Sequence, residues 1–243
     1  MNAVIDFGNT FAKLGFFEQN TLIEIQKGLE MDALKQALEA KSPEYLIISS
    51  VTKSLEELEL LFEEYQNKLI LTPKTQLPIQ KDYDTPQTLG ADRLAAAVGA
   101  TVLFPNEACV IVDMGTAIKY DYVNAQNAFC GGIISPGMRI RFEALHSFTK
   151  RLPLVEPEGI PNLIGKSTKT CIQSGVINGI IAEINGIINN YNQLGNCRVI
   201  LCGGDAPFFE SQIKMANFVS PNLVLIGLNR ILLYNVENKT LST

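Results

Sequence analysis

A repeated segment limits the folds open to this chain more than any other feature of its sequence. Residues 3–17 read AVIDFGNTFAKLGFF, and residues 109–123 read CVIVDMGTAIKYDYV. Each copy contains an apolar run that ends in an aspartate, then a turn with a glycine, then a second apolar run. Each copy therefore predicts a β-hairpin, and the pair indicates a fold built by duplication.

The parallel between the two copies extends beyond the hairpins. Each hairpin is followed by a third short strand, helical sequence and a strand of the buried type, which places these later strands at 21–28, 45–51, 127–137 and 197–204. The order β-β-β-α-β-α thus occurs twice. We predict an α/β fold of two halves, residues 1–105 and 106–243, with mixed sheets flanked by helices.

Two helices and one long loop have sequence patterns of their own. Ser54 and Glu57 form the signature of a capping box before a leucine-rich run. In residues 175–194, isoleucines recur along one helical stripe, beside glycines that would let another helix approach closely. We expect this stripe to pack in a core, with a dimer seam as the alternative. Segment 72–93 is too long for a simple connection, and such loops usually carry function.

Composition argues against several classes of protein. The net charge of −5 does not supply the basic surface of a nucleic-acid-binding protein. The five cysteines contain no C-x-x-C pair, which disfavours a disulfide framework or a zinc site and fits the reducing cytoplasm. We expect no membrane partner, because there is no signal-peptide pattern and no apolar run near the ~20 residues of a spanning helix. His146 is the one histidine, so a hydrolase triad has no support.

Aspartates end the first strand of both hairpins, where a buried carboxylate is costly unless a cation or hydrogen-bond donors compensate it. One such aspartate is usually a turn residue that bonds backbone N–H groups. Two at matching places favour a phosphate and metal site. The candidate residues are Asp6, Gly8 and Thr10 in the first copy and Asp113, Gly115 and Thr116 in the second.

The lysine that follows each hairpin turn is a candidate partner for phosphate charge. Lys13 follows Asp6 at an odd interval, whereas Lys119 follows Asp113 at an even one. Because side chains alternate along a strand, this difference predicts that the two lysines point to opposite faces and that only one faces a nucleotide.

Two further segments have both a structural and a functional interpretation. In GADR, residues 90–93, Asp92 fits a helix N-cap, and Arg93 fits either a carboxylate-binding fork or a solvated first turn. Gly203 and Gly204 directly follow a predicted strand, where glycine would let a base or ribose pass close by. A plain strand-to-helix turn explains these two glycines equally well.

Taken in order, these segments resemble the superfamily of acetate and sugar kinases, Hsp70 and actin, and within it the type III pantothenate kinases. The likeness runs almost end to end and implies two actin-like (ribonuclease H-like) halves. It rests on DFGNTFAK at 6–13, GADR at 90–93, VDMGTA at 112–117, GGIISPG at 131–137, GKST at 165–168 and GGDA at 203–206.

The resemblance implies a role in nucleotide binding for both hairpin turns. Thr116 would contact ATP from the second turn, Asp6 would lie near Mg²⁺, and Asp113 would touch a monovalent cation, potassium or ammonium. The first turn would hold the ATP phosphates with Asp6, Phe7, Gly8, Asn9, Thr10, Phe11, Ala12 and Lys13.

The resemblance also implies a pantothenate site in the first half, with Asp92 as the proton acceptor. Family members act as homodimers, so Thr168 could act across the subunit contact, although Thr170 and Ser174 lie nearby. The implied substrate-binding residues are Tyr83, Gly90, Ala91, Asp92, Arg93 and Thr168.

The implied reaction is ATP-dependent phosphorylation of pantothenate to 4′-phosphopantothenate, which opens coenzyme A synthesis. One alternative keeps the fold but changes the substrate to a sugar, acetate or polyphosphate, because a fold does not fix its ligand. The other is a non-catalytic relative that binds nucleotide and serves as a regulator. Asp92, Lys13 and Thr116 favour the enzyme.

Overall fold

The structure is a computed structural model that describes residues 1–8, 11–216 and 218–238. Its strands are β1 (Asn2–Phe7), β2 (Ala12–Glu18), β3 (Thr21–Lys27), β4 (Tyr45–Ser50), β5 (Lys68–Ile70), β6 (Gln80–Lys81), β7 (Cys109–Met114), β8 (Ala117–Val123), β9 (Ala128–Pro136), β10 (Arg198–Cys202) and β11 (Phe218–Val219). Its helices are α1 (Met31–Lys41), α2 (Leu55–Leu61), α3 (Ala91–Leu103), α4 (Met138–Ser147), α5 (Thr168–Leu194), α6 (Ala206–Phe209) and α7 (Leu223–Glu237).

The two sheets share one strand order. The first sheet runs β3-β2-β1-β4-β5, with β1, β2 and β3 antiparallel and β1, β4 and β5 parallel. The second sheet repeats this order as β9-β8-β7-β10-β11, again with parallel pairing on the β10 side. The predicted duplication of β-β-β-α-β-α is therefore present in the chain.

The chain groups into two compact units. The first contains residues 1–107, 123–131 and the segment from Asn222 onward, so that the last helix belongs with the first hairpin. The second contains residues 108–122 and 132–221. In the first unit, β6 pairs in parallel with the first residues of β9, which anchors the predicted functional loop at Gln80 and Lys81.

Each unit has its own apolar core. In the first, the sheet packs on α1 and α2 through buried side chains such as Ile5, Phe16 and Leu38. The predicted capping box of Ser54 and Glu57 is present, but helix α2 ends at Leu61, shorter than the leucine-rich run suggests.

The predicted isoleucine stripe of α5 packs in the core of the second unit, where Ile177, Ile180, Ile184 and Ile188 are fully buried. By length and composition alone this helix would also pass as a membrane span. Burial of its apolar stripe against the sheet is the property of a core helix. The α5 glycines do not contact another element, since a Cβ added at Gly175, Gly179 or Gly186 would meet nothing within 4 Å in the described chain.

Helices α3 and α7 lie close together in the first unit because glycines face the partner backbone. A Cβ at Gly227 would overlap the carbonyl oxygen of Ala95, and one at Gly99 would overlap that of Leu223. This contact fixes the helix that carries the GADR segment at its N-terminal end.

Candidate active site

The first hairpin places a buried carboxylate directly opposite a lysine. Asp6 is 7% exposed, and in the antiparallel pair β1–β2 its partner is Lys13, so that both side chains lie on one face of the sheet. The Gly8 N–H donates to the carbonyl of Phe11 at 3.3 Å and closes the turn. Asn9 and Thr10, predicted to hold phosphate, lie outside the described residues.

The other predicted residues of the first turn differ in exposure. Phe7 is buried in the core and packs 6.3 Å from the ring of Phe62, so its side chain serves the fold. Ala12 is partly buried, and Phe11 is 64% exposed beside the turn.

The second hairpin forms an ion pair between its aspartate and its lysine. The ammonium of Lys119 lies 2.7 Å from Oδ2 of Asp113, and the two side chains are 16% and 14% exposed. The Gly115 N–H donates to the carbonyl of Ala117, two positions along the chain.

The prediction that the two lysines point to opposite faces is wrong. The corresponding bond in the first hairpin runs from Gly8 to Phe11, three positions along. The second turn is thus shorter by one residue, and this offsets the difference in the intervals. Each lysine lies against the aspartate of its own hairpin, Lys13 opposite Asp6 and Lys119 on Asp113.

Backbone packing surrounds the second turn. The Gly137 N–H donates to the carbonyl of Thr116 at 3.0 Å, where a Cβ on Gly137 would overlap that carbonyl. Gly203 has φ +91°, and a Cβ there would lie 2.5 Å from Oδ1 of Asp113. Glycine at 203 is therefore required by the turn itself. Asp205 donates its N–H to the Met114 carbonyl, and burial raises the pKa of its carboxyl.

The GADR segment begins helix α3, with Gly90 as the N-cap. The prediction of Asp92 as the cap is therefore wrong, because Asp92 is already the second helical residue. Its Oδ1 accepts the N–H of Arg93 at 2.9 Å. The carboxylate lies in the first turn of the helix, where the helix dipole stabilises negative charge.

Arg93 is buried rather than solvated, at 7% exposed. Its guanidinium carbon lies 5.8 Å from the ring centre of Tyr83 and 5.4 Å from that of Phe129. The two rings meet edge to face, with centres 5.8 Å apart. Cation–π contacts thus hold the guanidinium in a fixed orientation. Sequence reasoning missed Phe129, since only the fold brings strand β9 to this helix.

Two cavities in the first unit involve the predicted substrate residues. One of 490 Å³ is lined by Asp82, Tyr83, Asp84, Thr85, Cys130 and Gly131. Another of 340 Å³ includes Gly90 and Ala91 in its lining, with Thr88 and Leu94 nearby. Such volumes suit a small metabolite.

The hydroxyls near the start of α5 have different roles. Ser167 caps the helix, and Thr170 completes the capping box. Ser174 donates to the carbonyl of Leu163 at 2.6 Å. Thr168 is exposed at the first helical position. Of the three hydroxyls weighed from the sequence, Thr170 and Ser174 serve the local structure, and Thr168 is exposed.

Other predicted features have ordinary structural surroundings. His146 is exposed, with Nδ1 2.8 Å from the carbonyl of Leu152. No disulfide joins any of the five cysteines. Among the described residues, no group of three or more His, Cys, Asp or Glu side chains could hold a metal ion.

The sequence is similar to that of known enzymes along almost its whole length. The model of the family described as type III pantothenate kinase matches residues 3–190. A type III pantothenate kinase from Cytophaga hutchinsonii is 45% identical over 237 residues, which cover 97% of this chain and 100% of that protein. One from Christiangramia forsetii is 40% identical over 240 residues, covering 97% and 99%.

Solved structures of lower identity share the fold. A conserved Baf family protein from Campylobacter jejuni has a TM-score of 0.64 at 22% identity, covering 97% of this chain and 99% of its own. A glucokinase from an Antarctic psychrotroph has a TM-score of 0.54 at 12% identity, covering 96% and 98%. These likenesses confirm the predicted actin-like α/β class. With the family match over most of its length, the chain belongs to the type III pantothenate kinase family.

Proposed function

We propose that this chain transfers the γ-phosphoryl group of ATP to the primary hydroxyl of pantothenate, giving 4′-phosphopantothenate and ADP in the first step of coenzyme A synthesis. Membership of the family supports this reaction. The observation that carries the proposal is the arrangement at the start of α3, where the Asp92 carboxylate accepts the backbone N–H of Arg93 and the Arg93 guanidinium is held between two rings. A fixed guanidinium suits the carboxylate of pantothenate, and the neighbouring carboxylate suits its hydroxyl.

The chemistry requires positioning and charge neutralisation rather than a covalent intermediate. In this proposal the first turn, residues 6–13, and Thr116 in the second hold the ATP phosphates. Asp92 orients the acceptor hydroxyl and takes its proton. Tyr83, Gly90, Ala91 and Thr168 complete the pantothenate site.

The Asp6 carboxylate fits a site near Mg²⁺. Hard divalent cations prefer carboxylate oxygens, and Mg²⁺ in kinases usually keeps several waters and phosphate oxygens as further ligands. A single buried carboxylate at the strand end meets that demand. The bound ion would neutralise charge on the phosphoryl group during transfer.

The implied monovalent cation at Asp113 fits the residues less well. An ammonium group already lies 2.7 Å from that carboxylate. Potassium or free ammonium at Asp113 would have to share the site with Lys119.

We further propose that the enzyme is a soluble, cytoplasmic homodimer. Support comes from a segment of the second unit whose large apolar side chains are exposed to solvent in the single chain. A segment that exposes several large apolar side chains is a candidate interaction site. These residues are Phe148, Leu154, Ile160, Leu163 and Ile164.

The decisive experiment is an assay of ATP-dependent phosphorylation with pantothenate, a panel of sugars and acetate as separate acceptors. We expect product only with pantothenate, identified by mass as the phosphate monoester. The Asp92→Asn variant serves as the matched control for contaminating kinases. Phosphorylation of a sugar in preference to pantothenate, or none of any acceptor, would contradict the proposal.

A further inference from the structure

We propose that the ammonium of Lys119 supplies the positive charge that a monovalent cation would otherwise supply at Asp113, so that this kinase works without potassium. The inference rests on the proposed function, because it concerns the charge beside the nucleotide phosphates. It assigns to Lys119 a role in neutralising Asp113, and it replaces the ion that the resemblance implies.

The geometry leaves little of the Asp113 carboxylate open to another ligand. Oδ2 is held by Lys119 at 2.7 Å in a pair that is mostly withdrawn from solvent. Oδ1 faces the backbone of Gly203 closely enough that a Cβ there would lie 2.5 Å away. Potassium requires several oxygen ligands, so it could bind here only after the lysine had moved.

Charge balance leads to the same conclusion. A carboxylate beside nucleotide phosphates needs a compensating cation, since like charges at close range repel strongly away from bulk water. The lysine ammonium is a compact charge with three N–H donors, so it can bind a carboxylate and a phosphate oxygen together. A second cation at the same carboxylate would be repelled by the first.

The duplication provides independent support. In both hairpins a lysine lies against the strand-ending aspartate, although the turns differ in length by one residue. The shorter second turn preserves this relationship rather than breaking it. Placing a lysine beside the aspartate is thus a property of both hairpins.

The test measures pantothenate phosphorylation in desalted buffer with choline, sodium, potassium or ammonium as the only monovalent cation. We expect wild-type rates to agree within about twofold across the four ions. Lys119→Ala should lose about 100-fold in choline or sodium. Because alanine leaves room for an ion, potassium or ammonium should raise the rate of Lys119→Ala at least about tenfold above its rate in choline or sodium. Lys119→Met, which fills the space without charge, should stay low in every ion.

A second readout measures affinity for a non-hydrolysable ATP analogue with Mg²⁺ by calorimetry in the same buffers. Potassium should tighten binding to Lys119→Ala and leave the wild type unchanged. Lys169→Ala, which breaks an exposed ion pair with Glu158, is the matched control and should respond to no ion. Melting temperatures in each buffer distinguish loss of the lysine charge from a folding defect, because a folding defect would lower the melting temperature equally in every ion.

Two results would overturn the inference: wild-type activation of tenfold or more by potassium over sodium, or full activity of Lys119→Ala in choline. The proposed function can fail separately. If no pantothenate is phosphorylated in any buffer, the calorimetric comparison still decides whether Lys119 replaces the cation.

Discussion

Asp92 has a structural and a chemical role that one substitution separates. As the second residue of α3 it accepts the Arg93 N–H, a bond that the asparagine oxygen can also accept. Asp92→Asn should therefore cost about 0.5 kcal/mol of stability, from the lost charge near the helix N-terminus. An amide cannot take a proton, so kcat should fall by about 10²–10⁴-fold.

Steady-state kinetics and thermal melting check this prediction. Binding of MgATP, measured by calorimetry, should be retained in the variant. Turnover within a few-fold of the wild type would assign Asp92 to the helix start alone.

The residue scale also shows why some predictions from sequence were wrong. The strand-end aspartates and the capping box are local patterns, so they could be read directly. The prediction that Lys13 and Lys119 point to opposite faces came from counting residues from each aspartate across the turn. Such a count compares the two hairpins correctly only when both turns have the same length. The burial of Arg93 depends on Phe129, which is far away in sequence, so no local pattern could indicate it.

At the scale of elements, the contact between α3 and α7 controls the position of the candidate substrate residues. Gly227→Ala should destabilise the protein by about 1–3 kcal/mol, because the new methyl overlaps the Ala95 carbonyl. Displacement of α3 should also raise the KM for pantothenate. Chemical denaturation and kinetics check both effects.

Gly186→Ala in α5 is the matched control, because nothing lies within 4 Å of its added methyl. This exposed helical position should gain up to about 1 kcal/mol from alanine. Loss of stability in Gly186→Ala similar to that in Gly227→Ala would contradict the packing argument.

A partly buried hydrogen-bond network connects α5 to its sheet. Glu183 accepts hydrogen bonds from Tyr120 at 2.8 Å and from Arg141 at 2.6 Å. Burial alone would raise the pKa of Glu183, but the bonds from Arg141, Tyr120 and Ser135 outweigh it and lower the pKa. For Tyr120, burial of the phenol and its hydrogen bond to Glu183 both raise the pKa.

The direction of the shift predicts a dependence on pH. A carboxyl whose pKa is lower in the folded state stabilises the fold above its unfolded pKa, about 4.3, and loses this contribution as the pH falls further. Glu183→Gln should lose about 1–2 kcal/mol at pH 7, and the difference from the wild type should shrink below about pH 4. Melting curves across this range check it. Glu158→Gln, in an exposed pair, should show a much smaller loss, and equal losses would contradict the argument.

For the whole molecule, the prediction concerns the proposed dimer. Leu163 is 77% exposed, and Leu163→Asp would place a charge in the apolar segment at 148–164. We expect sedimentation velocity to show a dimer for the wild type and a monomer for the variant, with a raised KM for pantothenate because Thr168 would act across the contact. Leu60→Asp, at a 70% exposed site on α2, is the matched control. A monomeric wild type with full activity would contradict the proposal.

The fold of the whole molecule could be predicted because its main signal, the repeated hairpin, is local and occurs twice. Which segments of the chain belong to each unit could not be predicted in the same way. The last helix follows the second repeat in sequence but groups with the first hairpin, and the contacts of Asn229 with Asn2 and Gln19 explain why. Such long-range contacts are set by the completed fold.

The ring of Tyr83 lies 5.8 Å from a buried guanidinium and lines a cavity, and this placement has a spectroscopic consequence. The chain contains no tryptophan, so the emission of its seven tyrosines is not masked by energy transfer to indole. A ligand that enters this cavity would change the surroundings of one tyrosine in seven. Its binding should therefore change the intrinsic tyrosine fluorescence, without any added label. Tyr83→Phe keeps the aromatic ring beside Arg93 while removing that emitter, so it identifies the source of the signal.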